Sequence, residues 1–169
     1  MITTLNENKK SEFIILCDHA SNHIPSEYKN LGLSENALNT HIAHDIGAKE
    51  VATYIAKLLE CPLVMSNFSR LLIDSNRGID DPTLIMKISD GKIIEGNKNI
   101  SFLNDCKEKK KRINNYYNIY HNKISEIISR SLKKNIFPAI ISIHSFTPSF
   151  AGNKRSTELG VLWDSDNRL

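Results

Sequence analysis

Cysteine is scarce in this chain, with three in 169 residues. An odd, scattered set does not make a disulfide framework. Without Cys-x-x-Cys spacing it does not suit a thiolate zinc site either, and it fits a reducing compartment. Long apolar runs are also missing. None approaches the ~20 residues that span a bilayer, and Met1 to Ser11 lack the apolar core of a signal peptide. A cytoplasmic protein with no membrane partner is therefore expected. There is no Walker loop and no GxGxxG, so nucleotide binding has no support. Ser21, Ser69 and Ser145 lie outside any GxSxG elbow, which disfavours a serine hydrolase. The net charge of +3 is too small to argue for a nucleic-acid partner. Much of that excess lies in Lys107-Glu108-Lys109-Lys110-Lys111-Arg112, a run typical of a solvated helix face. Binding of nucleic acid or anionic lipid by this run is the weakest functional reading.

What is present suits one globular domain. At 40% apolar, the chain can bury a normal core. Residues 1–11 are expected as a polar tail and 12–169 as a single α/β hydrolase-like domain. Phe13-Ile14-Ile15-Leu16-Cys17 and Ala139-Ile140-Ile141-Ser142-Ile143 have the length and branching of buried strands. Leu63–Met65, Leu71–Ile73 and Leu159–Trp163 read as further strands. Ser34 is a fitting N-cap for a helix from Glu35 to about Glu60, with a kink or break at Gly47. A second helix is expected from about Asn104 to Lys134, with Ile113, Tyr116, Tyr117, Tyr120, Ile124 and Ile127 at helical spacing. Strands alternating with helices imply a three-layer α/β sandwich around a largely parallel or mixed sheet. No helix follows the last expected strand, so the layer is expected to be incomplete.

Two histidines stand at strand exits. His19 follows the first apolar run and His144 follows the fourth. Carboxyl ends of strands in open α/β sheets are where ligand-binding residues collect. Two imidazoles brought to one sheet edge can share a zinc ion that keeps an open position for water. Asn22, three residues after His19, can converge on the same ion. Asp18 is either a direct ligand or an orienting partner of an imidazole. Alternatively, Asp18 and Asn22 organise a turn, and His144 is a core histidine bonded to backbone. Arg70, Asn76 and Arg77 flank the expected third strand. Their planar donors match a carboxylate, or they pair with Asp74, Asp80 or Asp81. His41 and Asp45 are four apart, so they share a helix face as a bonded pair or as a solvated one. Arg155 is placed to reach an anion, and His121 sits on a helix flank.

These residues also fall into an ordered set of motifs. Asp18-His19-Ala20-Ser21-Asn22-His23-Ile24-Pro25 and His44-Asp45-Ile46-Gly47-Ala48 come first. Ser69-Arg70-Leu71-Leu72-Ile73-Asp74-Ser75-Asn76-Arg77 is central. Ser142-Ile143-His144-Ser145-Phe146-Thr147-Pro148 and Gly160-Val161-Leu162-Trp163-Asp164-Ser165-Asp166-Asn167-Arg168 follow. Together they resemble the N-formylglutamate amidohydrolase family across nearly the whole chain. The resemblance implies a zinc-carboxypeptidase-like (phosphorylase/hydrolase-like) fold and hydrolysis of an N-acyl amide on an acidic amino acid. It implies one zinc ion held by His19, Asn22 and His144. Asn76 and Arg77 would clamp a substrate carboxylate, with Ser145 and Arg155 as further substrate contacts. Asp18, Arg70 and Asp45 would be the catalytic group, Asp18 as base. Position 22 is Asn where metallocarboxypeptidases carry Glu. Family members continue beyond the last motif into a stretch with acidic residues. A catalytically silent module that binds an acidic amino-acid derivative or a partner chain is therefore the alternative expectation.

Overall fold

A computed structural model describes residues 1–101, 106–150 and 153–163. Its centre is a four-stranded sheet of β1 (Ile2–Leu5), β2 (Phe13–Cys17), β3 (Leu63–Ser66) and β6 (Ala139–Ser142), in the order β1-β3-β2-β6. Between β3 and β6 in sequence lies a small hairpin, β4 (Ile88–Ser89) with β5 (Lys92–Ile93). Strands β3, β2 and β6 run parallel, while β1 runs antiparallel to β3. The sheet is therefore mixed. The strand β1 lies in the stretch expected as a polar tail. Its backbone pairs Ile2 with Ser66 and Leu5 with Leu63, so an edge partner for β3 overrides its weakly apolar sequence.

Alternation along the strands divides the core in two. Ile14, Leu16 and Val64 face one side, against Tyr116, Tyr120, Ile124 and Ile127. Those four belong to one continuous helical stretch, made of α3 (Lys107–Arg112), a π-helical turn (Ile113–Tyr117) and α4 (Asn118–Leu132). Ile15, Cys17, Leu63 and Met65 face the other side, against Ala48, Ala52 and Ala56. Those alanines form the inner stripe of a helix spanning Ala48–Leu58, and their small size lets the helix approach the sheet closely. Helices on both faces of a mixed sheet make the expected α/β sandwich.

Three expectations need correction. The helix expected over 35–60, with a kink or break at Gly47, is two helices, α1 (Glu35–Leu38) and α2 (Ala48–Leu58), so a break does end at Gly47 but reaches back to residue 39. Ser34 does cap the first, accepting from the Ala37 amide. Gly47, at φ 81°, starts the second from a left-handed conformation that suits glycine. Leu71–Ile73 is a turn, not a strand. All three side chains are buried, but the neighbours Leu72 and Ile73 enter one cluster and Leu71 another, which is not the alternation of a strand. Leu159–Trp163 makes no strand, and Leu162 is 98% exposed. The expected helix start at Asn104 and the motif residues Asp164–Arg168 lie outside the described residues. No helix among the described residues is long and apolar enough to cross a membrane.

Candidate functional site

The exits of β2 and β6 lie side by side because the two strands pair in parallel, Leu16 opposite Ser142. Chain leaving β2 therefore delivers Asp18 and His19 next to His144. The ring centres of His19 and His144 are 5.1 Å apart. A third segment closes the gap. The Asp45 amide donates to the His19 carbonyl at 3.0 Å, which draws the loop ahead of α2 over the strand ends.

One oxygen organises the cluster. The Nδ1 atoms of His19 and His144 face Asp45 Oδ2 at 3.4 and 2.9 Å. The Ser145 amide donates to the same oxygen at 3.3 Å. Each imidazole is then held from behind by its own carboxylate. His19 Nε2 lies 2.7 Å from Asp74 Oδ1, and His144 Nε2 lies 3.2 Å from Asp18 Oδ2. Arg70 spans the second oxygens of two of these carboxylates, donating to Asp45 Oδ1 at 3.3 Å and to Asp74 Oδ2 at 3.2 Å. Tyr120, from α4, donates to Asp18 Oδ1 at 2.9 Å, and Ser142 donates to Asp18 Oδ2.

The electrostatics follow from this packing. His19 is 2% exposed, and burial alone would lower its pKa. Its bonds to Asp45 and Asp74 outweigh that and raise it. His144 is pushed up to about 9, by its hydrogen bonds to Asp18 and Asp45 against the effect of burial. Burial also works against the charge of Asp18, Asp45 and Asp74. Histidine contacts at all three, aided by Ser142 at Asp18 and by Arg70 at Asp45 and Asp74, still hold them below the usual carboxylate range. With neutral imidazoles, three buried carboxylates would face the largely buried Arg70 and the half-exposed Arg77, 3.9 Å from Asp74. Such a shell favours an added positive charge, as protons or as a divalent cation.

His19, Asp45 and His144 each offer one ligand atom, all within 4.8 Å of one another. Two imidazole nitrogens and one carboxylate oxygen suit zinc, with a fourth position left for water. The carboxylates behind both rings are the orienting partners that metal-bound histidines usually have.

The expected residues are distributed as follows. His19, His144, Asp18, Asp45 and Arg70 come together, as does the Ser145 amide. Asn22 does not join them. Its side-chain amide donates to Asn39 Oδ1 at 2.8 Å, because the loop after His19 turns outward toward the end of α1. Asp45 takes the place expected of Asn22. Asn76 is at the rim, with its Nδ2 3.5 Å from His144 Nε2, and Arg77 is beside it. Arg155 lies over the Phe146 ring at 5.2 Å, at the base of a short hairpin of β7 (Ser149–Phe150) and β8 (Asn153–Lys154). His41 does not share a helix face with Asp45, since α1 ends at Leu38; it lies 3.5 Å from Asp90 instead. Sequence reasoning gave no site role to Asp74, Ser142 or Tyr120. Tyr120 was legible only as part of an apolar stripe, yet its hydroxyl is what meets Asp18.

Comparison with known proteins supplies a family and a fold. The model of a family described as N-formylglutamate amidohydrolase matches residues 11–169. Among solved structures, the crystal structure of a gene product of Agrobacterium tumefaciens is 34% identical and superposes with a TM-score of 0.91. That match covers 98% of this chain and 64% of the other, so this chain spans under two thirds of that relative's length. No curated protein matches the chain.

Proposed function

The chain belongs to the N-formylglutamate amidohydrolase family, a family of hydrolases, and from that premise we propose that it cleaves the N-acyl amide of a small acidic amino acid in a zinc-dependent reaction. N-formyl-L-glutamate is the first substrate to test. The observation that carries the reading is the convergence of two imidazole Nδ1 atoms on one Asp45 oxygen, each ring backed by a separate carboxylate.

His19, Asp45 and His144 would hold the ion. When bound, zinc supplies Lewis acidity at the acyl carbonyl and lowers the pKa of water. Asp74 and Asp18 fix the two rings so that each presents Nδ1 inward. Arg70 keeps Asp45 and Asp74 ionised and in register. Asn76 and Arg77, exposed at the rim, take the substrate carboxylate, and the fork of Arg77 gives that contact its direction. Asp18 is enclosed by Tyr120, Ser142 and His144, so it serves to hold His144 and not as a proton acceptor for water.

Wild type and His144→Ala test this together, by zinc content and by formate release from N-formyl-L-glutamate. One zinc per wild-type chain, with both zinc and turnover lost in the variant, is the expected result. Full zinc retention by His144→Ala rejects the ligand set. A second reading has its own observation. Both oxygens of Asp18, of Asp45 and of Asp74 are already engaged, so none of the three is a ready base. In that reading the chain binds the acidic ligand without cleaving it. Calorimetric binding of N-formyl-L-glutamate by zinc-loaded protein that releases no formate selects it.

A further inference from the structure

The segment carrying Asn76 and Arg77 is anchored from a direction the chemistry above does not use. Tyr117 closes the π-helical turn, and His121 follows one helical turn later on α4. The Tyr117 hydroxyl donates to the Arg77 carbonyl at 2.8 Å. His121 Nε2 lies 3.0 Å from the Ser75 carbonyl, which accepts its N–H. The two bonds bracket Asn76. The two rings pack with centres 4.2 Å apart, so each limits the other's rotamer.

The other contacts of this segment already tie it to the histidine cluster. Ser75 Oγ donates to the Asp18 carbonyl at 2.8 Å, and the Asn76 amide donates to Asp74 Oδ1 at 2.9 Å. The Arg77 amide donates to the Asp74 carbonyl at 3.2 Å. These contacts fix the inner side. Among the contacts described, only Tyr117 and His121 hold the carbonyls of Arg77 and Ser75. A π-helical turn adds a residue to the ladder and is a frequent mark of functional positions in helices. Here Tyr116 and Tyr120 are buried in the core, at 4% and 0% exposure, while Tyr117 and His121 meet the 75–77 backbone.

We propose that Tyr117 and His121 are positioning residues that hold Asn76 and Arg77 in the orientation that grips a substrate carboxylate. They act through the backbone of Ser75 and Arg77 and touch no substrate themselves. The inference rests on the reading of Asn76 and Arg77 as an anion clamp. Freeing these two carbonyls therefore weakens binding of an anionic ligand and leaves a neutral ligand of the same shape unaffected.

Three variants test it in the zinc-loaded protein. Tyr117→Phe and His121→Leu each remove one donor, and His121→Gln restores a donor of similar reach. Binding of N-formyl-L-glutamate is measured by calorimetry against its diamide, which lacks both carboxylates. Amide hydrogen exchange at 76–78 is followed alongside, with Ile15 and Val64 as core controls. The expected loss is about fivefold to tenfold in dianion affinity for Tyr117→Phe and His121→Leu, the scale of one hydrogen bond. Diamide affinity stays constant, exchange at 76–78 quickens, and His121→Gln returns both values toward wild type. Equal losses for dianion and diamide, or unchanged exchange at 76–78, overturn the proposal. So does wild-type protein that binds no dianion. Dianion binding that obeys this pattern without formate release leaves the positioning role standing and rejects only the hydrolase reading.

Discussion

Asp74 holds His19, Arg70 and the Asn76 amide from a fully buried position. Removing it would leave a buried imidazole and a largely buried guanidinium without their counter-charge. Breaking a buried pair on one side costs about 3–5 kcal/mol, so Asp74→Ala is expected to lose about 3 kcal/mol in urea unfolding, near the lower end because Arg70 reaches solvent. Asp74→Asn should lose less, since it keeps an acceptor for the Asn76 amide. His144 gives a second test, by pH. Its folded pKa of about 9 lies above the ordinary imidazole value of 6.5, so its ion pairs stabilise fully below pH 6.5. That contribution is lost as pH rises through about 9. Chelator-treated wild type should therefore lose melting temperature over this window more steeply than His144→Asn does. A parallel decline in the two proteins would show that the Asp18 and Asp45 contacts of His144 add no pH-dependent stability. The two histidines were legible because strand-exit positions are readable from an apolar run followed by a polar turn. Asp45 was legible as a partner for His41 and, through the resemblance, as one of the catalytic group, but not as the acid between the two imidazoles, because its place depends on a backbone bond to His19 that no spacing rule encodes. Asn22 misled because an i, i+3 pair converges only if the turn curls back, and this one turns outward.

At the level of elements, the sequence pattern was most reliable where one period dominated. Strands β2, β3 and β6 follow from unbroken apolar runs flanked by turn residues. The helix leading to Leu132 follows from its tyrosine and isoleucine stripe, although the π-helical turn inside it has no sequence signature. The pattern failed at α2. Val51, Ile55 and Leu58 are its large apolar residues at helical spacing, but Val51 and Leu58 are 49% and 67% exposed, and Ala48, Ala52 and Ala56 face the sheet. Alanine carries too little hydrophobic weight to win a periodicity count, yet it is what a close helix–sheet approach requires. This gives opposite predictions for neighbouring residues. Ala52→Leu should cost about 1–3 kcal/mol by overpacking against β2 and β3. Val51→Ala should stay within about 0.5 kcal/mol, as surface changes usually do. Thermal or urea unfolding of the two variants decides between an alanine face and a valine face toward the sheet. Leu71–Ile73 failed differently, because a three-residue apolar run does not say whether its side chains alternate between two faces, and here the neighbours Leu72 and Ile73 share one cluster.

For the molecule as a whole, the site joins segments far apart in sequence, with His144 99 residues beyond Asp45 and Asp45 26 beyond His19. Unfolding separates the three side chains, so a metal that requires all of them has little affinity for the unfolded chain. Its binding energy then becomes folding stability. The size follows from mass action: free zinc at 100 times its dissociation constant should stabilise the fold by about 2.7 kcal/mol, and at 1,000 times by about 4.1 kcal/mol. Melting temperature should climb with the logarithm of free zinc in wild type. It should stay flat in His144→Ala, whose cluster keeps His19 and Asp45 but loses the strand-β6 ligand. Asp74→Asn should fall between them, because the ligands remain and only the support behind His19 weakens, a change worth about 10–100-fold in metal affinity. A wild-type melting temperature that ignores zinc would mean that the shell of carboxylates and imidazoles is neutralised by protons alone. A zinc response surviving in His144→Ala would move the metal away from the meeting point of β2 and β6.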